Sequence, residues 1–208
     1  MVSAHSPAPA KAGLRRALAE ARRGLSPEER RSASRRIIAA CRSLPAFAQA
    51  QIVCTYVSFR EEVETIELVS SLLAEGRRVA VPVHLHGVVQ PQIFAEISSL
   101  DELVPSRFGV PQPPREAARF LPTAAIPVFL VPGLAFDPSG RRLGYGLGFY
   151  DRAFAAAAPG ALKIGLAFEL QVLESVPADP HDVPMDFVVT EQRVIPAAAG
   201  EGTPTRRW

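Results

Sequence analysis

The stretch IPVFLVPG, Ile126–Gly133, decides the fold class of this 208-residue chain. Its unbroken run of apolar residues is typical of a strand that is buried on both faces, as in a parallel sheet covered by helices on either side. Proline and glycine end the run. We therefore predict that this segment forms a central strand of a sheet.

Segments of strand and helix character alternate along the chain from residue 51 onward. The predicted strands besides the central one are Gln51–Val57, Arg77–Val83, Val88–Ile97 with an interruption at Pro91, Leu162–Phe168 and Asp186–Thr190. The predicted helices are Thr65–Gly76, with Thr65 as N-cap and Gly76 as its end, and Phe149–Ala158, which ends before Pro159 and Gly160. This alternation predicts an α/β fold with three α/β/α layers and a mostly parallel, doubly wound sheet.

Two further helices are predicted before the first strand. Residues 11–23 have an amphipathic pattern, with Leu14, Leu18 and Ala21 on one face. Ser26, Pro27 and Glu29 form a capping-box start for a second helix, which runs to about Leu44. We expect a single domain over residues 10–196 that includes this N-terminal helix pair, and disordered tails over residues 1–9 and 197–208.

The composition is that of an ordinary globular protein, with 48% hydrophobic and 21% charged residues and a formal net charge of +2. This charge gives no reason to expect nucleic acid or a membrane as a partner, and we expect neither. Cys41 and Cys54 lack the spacing of a zinc site and are expected to be reduced. No signal peptide and no membrane-length apolar run is found, so we expect a cytoplasmic monomer.

The stretch RRLGYGLGFYDR, Arg141–Arg152, carries the strongest functional signal. It follows the central strand and therefore lies where doubly wound sheets collect ligands. Glycines at 144, 146 and 148 allow backbone N–H groups to converge on an anion, and Arg141 and Arg142 add cationic donors. A carboxylate beside phosphate needs a cation between them, so Asp151 is a natural Mg²⁺ ligand. These features predict a site for a nucleoside triphosphate with Mg²⁺.

The glycine pattern alone leaves an alternative open. The chain has no GxxxxGK[ST] motif, and the spacing GxGxG differs from the dinucleotide-binding GxGxxG. The stretch could be a tight turn from strand to helix, with Asp151 complementing the helix dipole.

A longer segment, VPGLAFDPSGRRLGYGLGFYDR at Val131–Arg152, strongly resembles the signature of the 5-formyltetrahydrofolate cyclo-ligase family, also called 5,10-methenyltetrahydrofolate synthetase. Three further segments resemble motifs of the same family and occur in the same order along the chain. They are KAGLR at Lys11–Arg15, YVSFREEVET at Tyr56–Thr65 and GLAFELQVLESVPADPHDVPMDFVVTE at Gly165–Glu191. The resemblance implies ATP- and Mg²⁺-dependent closure of 5-formyltetrahydrofolate, with or without a polyglutamate tail, to 5,10-methenyltetrahydrofolate. It also implies an N5-iminium phosphate intermediate and release of ADP and phosphate.

The resemblance also implies which residues bind ATP and the metal. The ATP-binding residues would be Lys11, Arg15, Arg142, Leu143, Gly144, Tyr145, Gly146, Leu147, Gly148, Phe149, Tyr150 and Asp151. Arg142 and Tyr150 would be catalytic, and Asp151 and Asp182 would hold Mg²⁺. Asp186 competes with Asp182 for the second metal position, but it directly precedes a strand. The alternative for Lys11 and Arg15 is a solvated basic face.

The folate would lie against a second set of residues. Glu62 would accept hydrogen bonds from the pterin N–H groups, and Val57 and Phe108 would form apolar walls. The full set implied is Val57, Glu62, His84, Phe108, Tyr145, Gly146, Gly148 and Phe149. The alternatives are an exposed loop acid for Glu62 and a core role for Val57 or Phe108. Of the two histidines in HLH, we expect His84 to line the pocket and His86 to lie at the surface.

Leu147 departs from the family pattern, because relatives carry lysine or glycine there. Positive charge would then come from Arg142, Lys11 and Arg15. Two other functions remain open. One is a nucleotide- or folate-binding protein on the same fold without turnover, and the other is a kinase-like or ligase activity on a different substrate. The presence of every implied charged residue argues against the first, and Glu62 argues against the second.

Overall fold

The structure is a computed structural model that describes residues 7–84, 93–146 and 148–197. Its helices are α1 Pro7–Arg23, α2 Pro27–Arg42, α3 Pro45–Gln49, α4 Ile66–Ala74 and α5 Phe149–Phe154. Its strands are β1 Ile52–Cys54, β2 Arg78–Pro82, β3 Phe94–Ile97, β4 Val104–Pro105, β5 Pro111–Gln112, β6 Arg119–Leu121, β7 Val128–Val131, β8 Ala135–Phe136, β9 Arg142–Leu143, β10 Leu162–Leu166, β11 Phe187–Val189 and β12 Val194–Pro196. His86, Leu147, residues 1–6 and residues 198–208 lie outside the described residues.

Eight strands form one sheet in the order β12-β11-β10-β7-β1-β2-β3-β6. The five strands from β11 to β2 run parallel, and β12 and β3 join them antiparallel at either side. The central strand predicted from IPVFLVPG is β7, which pairs with both β1 and β10. Because the chain passes from β1 to β2 on one side and later to β7 on the other, the strand order reverses between β1 and β7.

Two hydrophobic clusters cover the two faces of this sheet, which confirms the three-layer prediction. One cluster packs α2, α3 and α4 against the face of the sheet that carries Val53 and Leu130. The other packs α5 against residues on the opposite face such as Cys54 and Phe129. All four residues of β7 are buried, because the strand contacts a helical layer on each side.

The two N-terminal helices have different positions in the fold. The capping box at Ser26 and Glu29 forms as predicted, and α2 packs on the sheet. Leu14 and Leu18 of α1 instead pack on Ala135, Leu143 and Val176, which lie in the segments that follow β7 and β10. The first helix therefore covers the carboxyl end of the sheet rather than one of its faces.

Several predicted boundaries were wrong. Helix α1 begins at Pro7, so residues 7–9 are helical and do not belong to a disordered tail. Thr65 occupies the N-cap position of α4 but does not cap it, because its hydroxyl donates to the Tyr56 carbonyl instead. The strand predicted over 88–97 is antiparallel from Phe94 to Ile97, and its first half, including Pro91, falls largely outside the described residues. Within the described part of the chain, no helix is both long and apolar enough to cross a membrane.

Candidate active site

The candidate site lies where the strand order of the sheet reverses. The loop after β1 carries Glu62, and the loop after β7 carries the glycine stretch. Because β1 and β7 are paired neighbours that run in the same direction, both loops leave the same edge of the sheet. Folding therefore brings together two motifs that are about 80 residues apart in sequence.

The loop after β1 is held in shape by its own hydrogen bonds. The Tyr56 hydroxyl donates to the Val63 carbonyl over 2.9 Å, and the Thr65 hydroxyl donates to the Tyr56 carbonyl over 2.6 Å. The Phe59 backbone N–H donates to Oε2 of Glu62 over 3.1 Å. These bonds fix the carboxylate of Glu62 at the turn of the loop.

The three alternate glycines are needed for different reasons. Gly146 and Gly148 have φ values of +96° and +58°, which L-residues with a side chain rarely adopt. Gly144 has no such backbone, but a Cβ there would lie 2.6 Å from the Nη1 atom of Arg142. The GxGxG pattern therefore combines two left-handed positions with one close approach of an arginine to the backbone.

Asp137 anchors the turn before the glycine stretch. Its fully buried carboxylate accepts bonds from the Ser139 backbone, the Val176 backbone and the Arg141 side chain. Burial alone would raise the pKa of Asp137, but hydrogen bonds from the Ser139 hydroxyl and from the backbones of Val176, Arg141 and Ser139 lower it below its ordinary value. Arg141, which was expected to donate to phosphate, pairs with Asp137 at 2.8 Å. This pair directs the Arg141 guanidinium to the buried carboxylate four residues earlier, and its contact with phosphate stays a prediction.

Arg142 and Asp151 form a mostly buried ion pair beside the glycine stretch. The Nη2 atom of Arg142 donates to both carboxylate oxygens of Asp151, over 3.2 and 3.0 Å. Its guanidinium lies 5.4 Å from the ring centre of Tyr150, which is itself buried in the core. The Nε atom of Arg142 is buried and has no hydrogen-bond partner among the described residues.

Lys11 forms a second ion pair with two aspartates of the loop before β11. Its Nζ atom lies 2.7 Å from Asp179 and 3.4 Å from Asp182. Desolvation by burial lowers the pKa of Lys11, but the two carboxylates outweigh it and the pKa is raised. The carboxylates of Asp179 and Asp182 and the ring of His181 offer possible ligand atoms within 4.8 Å of one another.

The aspartate loop is also connected to Asp151. The Val183 backbone N–H, next to Asp182 in sequence, donates to Asp151 over 3.3 Å. Asp186, the competing candidate, instead accepts from the Lys163 backbone over 2.7 Å and pairs with the Lys163 side chain at 3.0 Å. Asp186, which directly precedes β11, therefore binds to Lys163 of β10 and has a structural role. Asp182 lies beside the other charged residues of the site.

Arg15 contacts the glycine stretch directly. Its Nε atom donates to the Gly144 carbonyl over 2.9 Å, and a Cβ at Gly146 would lie 3.4 Å from its guanidinium. Lys11 and Arg15 thus face the same site from one side of α1, as their spacing predicts. The alternative, in which Lys11 belongs to a solvated basic face of the helix, is wrong, because Lys11 is only 8% exposed.

Tyr145 connects the glycine stretch with Glu62. The Tyr145 hydroxyl donates to Oε1 of Glu62 over 3.0 Å and accepts from Nη2 of Arg22 over 3.1 Å. Burial, together with the Glu62 carboxylate, raises the pKa of Tyr145 to about 12, so its hydroxyl keeps its proton. Burial also raises the pKa of Glu62 above its ordinary value, although the bonds from Phe59 and Tyr145 and the charge of Arg22 oppose this shift.

Aromatic side chains lie on the other side of the site. The ring of His84 is 4.8 Å from that of Phe149 and 6.5 Å from that of Phe108. Burial lowers the pKa of His84, which favours the neutral imidazole. Phe108 is 55% exposed and available to a ligand. Val57 was expected beside it; it is 4% exposed and belongs to the hydrophobic cluster that includes residues of α2 and α4, which favours the alternative core role, and its contact with folate stays a prediction.

Sequence reasoning missed two charged residues, Arg22 and Asp179. Arg22 follows Lys11, Arg15 and Leu18 at helical spacing, which places all four on one side of α1. Asp179 precedes Asp182 by three residues in the same proline-rich loop. The helical spacing could have revealed Arg22, whereas no local pattern indicates that Asp179 binds Lys11.

A cavity of about 570 Å³ lies elsewhere, between the start of α2 and residues 168–170 and 191–192. Four of its lining residues are glutamates, at positions 28, 29, 169 and 191. That lining is unsuited to a triphosphate, because like charges repel. None of the implied ATP-, metal- or folate-binding residues lines this cavity.

Comparison with known proteins identifies close relatives. The model of the 5-formyltetrahydrofolate cyclo-ligase family matches residues 7–191. The 5-formyltetrahydrofolate cyclo-ligase of Mycolicibacterium smegmatis is 40% identical over 151 residues, which are 70% of this chain and 76% of that protein. The enzyme of the same name from Escherichia coli K12 is 30% identical over 174 residues, covering 83% of this chain and 96% of the relative.

A solved structure shares this fold over nearly its whole length. The NMR structure of Aquifex aeolicus 5,10-methenyltetrahydrofolate synthetase superposes with a TM-score of 0.78 at 32% identity, covering 94% of this chain and 96% of that one. A synthetase of the same name from Mycoplasma pneumoniae gives a TM-score of 0.67 at 22% identity, and at that identity the likeness concerns the fold alone.

Proposed function

Because the chain belongs to the 5-formyltetrahydrofolate cyclo-ligase family, we propose that it uses ATP and Mg²⁺ to close 5-formyltetrahydrofolate to 5,10-methenyltetrahydrofolate. The products would include ADP and phosphate. The glycine stretch and α1 would bind the triphosphate, and the Glu62 side of the site would bind the folate.

One observation carries this proposal: two cation–carboxylate pairs, Arg142–Asp151 and Lys11–Asp182, flank the glycine stretch. A magnesium nucleotide brings an anion and a cation into the site together. When the pairs open, Asp151 and Asp182 are free to bind Mg²⁺ and Arg142 is free to bind phosphate. Lys11 has three N–H donors, so it can bind phosphate while it keeps its bond to Asp179. A site with only basic residues would bind phosphate but would offer the metal no protein ligand.

The phosphate half of this proposal fits the donors that are present. Nε of Arg142 is a buried donor without a described partner, and a phosphate oxygen would satisfy it. Arg15 adds a second guanidinium against the Gly144 carbonyl and the Gly146 backbone. Both guanidiniums already lie beside the glycine stretch, so once the Arg142–Asp151 pair has opened their donors can stabilise charge in phosphoryl transfer.

The metal half fits as well. Mg²⁺ prefers oxygen ligands, and Asp151, Asp179 and Asp182 supply carboxylates next to the predicted phosphate position. When bound, the ion would neutralise charge on the phosphate oxygens. We propose Asp151 and Asp182 as its ligands, with Asp179 holding Lys11 and the Asp182 loop in place.

The folate half rests on Glu62 and the aromatic rings. Each oxygen of Glu62 accepts one hydrogen bond from the described residues, so further lone pairs remain for pterin N–H groups. Phe108, Phe149 and the neutral ring of His84 offer stacking surfaces without charge. Tyr145 would place the formyl group close to the glycine stretch, since it belongs to that stretch and touches Glu62.

The chemistry we propose proceeds in two steps. The formyl oxygen attacks the γ-phosphorus, the bond to the bridging oxygen of ATP breaks, and ADP leaves with an N5-iminium phosphate formed. N10 of the folate then attacks the activated carbon and loses its proton, and phosphate departs with the former formyl oxygen. Arg142 would stabilise charge on the transferring group, while the buried ring of Tyr150 would hold Arg142 in position.

An absorbance assay tests this proposal. Purified protein is mixed with 5-formyltetrahydrofolate, ATP and Mg²⁺, and methenyl absorbance in the near ultraviolet is followed. We expect product to accumulate only when all three are present and ADP to form in equal amount. Binding of both ligands without product would support the non-catalytic alternative, and ATP consumption without methenyl product would indicate another substrate.

We also propose that the protein acts as a monomer in the cytoplasm. Cys41 and Cys54 are buried and unpaired, as expected in a reducing compartment. Size-exclusion chromatography with light scattering tests the monomer, and fractionation of cells that produce the protein tests its location. The assay repeated with polyglutamylated substrate would show whether the tail improves affinity.

A further inference from the structure

A buried arginine on α1 has no role in the function proposed so far. Arg22 is 4% exposed, and its Nε atom has no hydrogen-bond partner among the described residues. Its Nη1 atom lies 3.5 Å from the Gly133 carbonyl, which is at the limit of a hydrogen bond. Within the described part of the chain, its one close hydrogen bond is from Nη2 to the Tyr145 hydroxyl, over 3.1 Å. A buried guanidinium with so few partners is costly to the fold and requires an explanation.

Arg22 begins a chain of two hydrogen bonds in which each group donates to the next. The guanidinium donates to the Tyr145 hydroxyl, and that hydroxyl donates its own proton to Oε1 of Glu62. Because arginine has no acceptor atom, the hydroxyl must point its hydrogen toward the carboxylate. Arg22 thereby fixes the orientation of the Tyr145 hydroxyl, and the hydroxyl fixes one oxygen of Glu62.

The position of Tyr145 favours a functional role over a purely structural one. The residue is 54% exposed, so its ring contributes little to the core. It lies between Gly144 and Gly146 in the stretch proposed to bind ATP, yet its hydroxyl reaches the carboxylate proposed to bind the pterin. The positive charge of Arg22 also favours the ionised form of Glu62, against the effect of burial.

We propose that Arg22 is a positioning residue for folate binding, which acts through the Tyr145 hydroxyl to hold the carboxylate of Glu62 in the orientation that binds the pterin. This inference rests on the proposed contact between Glu62 and the pterin. It adds Arg22 to the residues that determine how tightly the folate is bound, and it gives the Tyr145 hydroxyl a defined role in that binding.

A double-mutant cycle tests the inference. The variants are Arg22→Met, which keeps much of the buried stem, Tyr145→Phe, which removes only the hydroxyl, and their combination. Dissociation constants for 5-formyltetrahydrofolate and for ATP are measured separately, together with KM and kcat. Arg23→Met is the matched control, because Arg23 is the next residue of the same helix and is exposed.

We expect each single variant to weaken folate binding about five- to tenfold and ATP binding less than about twofold. The KM for folate should rise while kcat changes little. The double variant should weaken folate binding by no more than about tenfold, since both changes break the same chain of hydrogen bonds. Arg23→Met should behave like the unmodified protein.

Other outcomes would overturn the inference. If Tyr145→Phe binds folate normally, the hydroxyl does not position Glu62, whatever Arg22→Met does to folding. Losses that multiply in the double variant, or that are equal for folate and ATP, would indicate that Arg22 acts on the fold. Glu62→Gln is measured alongside: if it retains full folate affinity, the proposed role of Glu62 fails first, and if it alone weakens binding, only the role of Arg22 fails.

Discussion

The Nη2 atom of Arg142 lies 3.0 Å from Oδ2 of Asp151, and both side chains are largely buried. This pair joins the strand before the glycine stretch to the helix after it. Since the proposed function requires Arg142 to bind phosphate and Asp151 to bind Mg²⁺, the pair must open when the nucleotide enters. Its residues therefore have a structural role without ligand and a functional role with it.

We predict that Asp151→Asn lowers turnover strongly and also destabilises the protein. Loss of a hydrogen-bonded charge beside a buried guanidinium should cost about 1.5–3 kcal/mol, which is less than the total stability of a typical domain. Thermal unfolding and the Mg²⁺ dependence of the rate measure the two effects.

Asp186→Asn is the matched control for this prediction. Asp186 pairs with Lys163 at 3.0 Å in a similarly buried setting, away from the proposed metal position. The Asp186→Asn variant should be less stable than the unmodified protein, but the Mg²⁺ dependence of its rate should be unchanged. The metal assignment is wrong if the two variants show the same response to Mg²⁺.

For Glu62→Gln we predict a selective loss of folate affinity. Removing one charged acceptor should cost about 1.5–3 kcal/mol, or roughly a tenfold to hundredfold increase in the dissociation constant. ATP affinity should change little. Titration of each ligand alone measures this, with Glu61→Gln as a neighbouring control, and equal losses for both ligands would contradict the assignment.

Folate affinity should also depend on pH through Glu62. Because burial raises the pKa of Glu62, the unliganded protein becomes less stable as pH rises from the ordinary glutamate pKa through this raised one. The ionised form is the one that binds the pterin, so affinity should fall as pH decreases through the raised pKa. Dissociation constants measured across this range should show the fall in the unmodified protein and a flat profile in Glu62→Gln. If folate affinity falls in the same way in the unmodified protein and in Glu62→Gln, the titrating group is not Glu62.

We predict that Gly146→Ala reduces both activity and stability. At φ +96° an alanine is strained by about 1–2 kcal/mol, and its methyl would touch the guanidinium of Arg15. Displacement of the loop by about 1 Å could lower the rate on the order of a hundredfold. Gly13→Ala is the control, because Gly13 lies in α1 with open space around its Cα, and it should gain up to about 1 kcal/mol. An active, fully stable Gly146→Ala would show that the backbone there is unconstrained.

The fold class and the location of the site were predictable, because both depend on local patterns. The apolar run of β7 indicates its burial, and a glycine-rich loop after such a strand indicates a ligand position. The edge strands were less predictable, since the antiparallel direction of β3 depends on its pairing with β2 and on no feature of its own sequence.

The partners of the charged residues could not be predicted in the same way. Lys11 pairs with Asp179, which is 168 positions away, and only the folded chain brings them together. Arg141 and Arg142 are adjacent and chemically equal in sequence, yet the first pairs with Asp137 and the second with Asp151. The burial of Val57 could not be predicted for a similar reason, because the pattern does not show which apolar residues of a loop turn inward.

The most direct measurement is a crystal structure with a non-hydrolysable ATP analogue and Mg²⁺. We predict that the triphosphate contacts the backbone of residues 144–148, that Lys11, Arg15 and Arg142 bind its oxygens, and that Asp151 and Asp182 turn to the metal. The Lys11–Asp182 and Arg142–Asp151 pairs should open in that complex. A triphosphate bound elsewhere, with both pairs intact, would show that the glycine stretch is only a turn and would contradict the account.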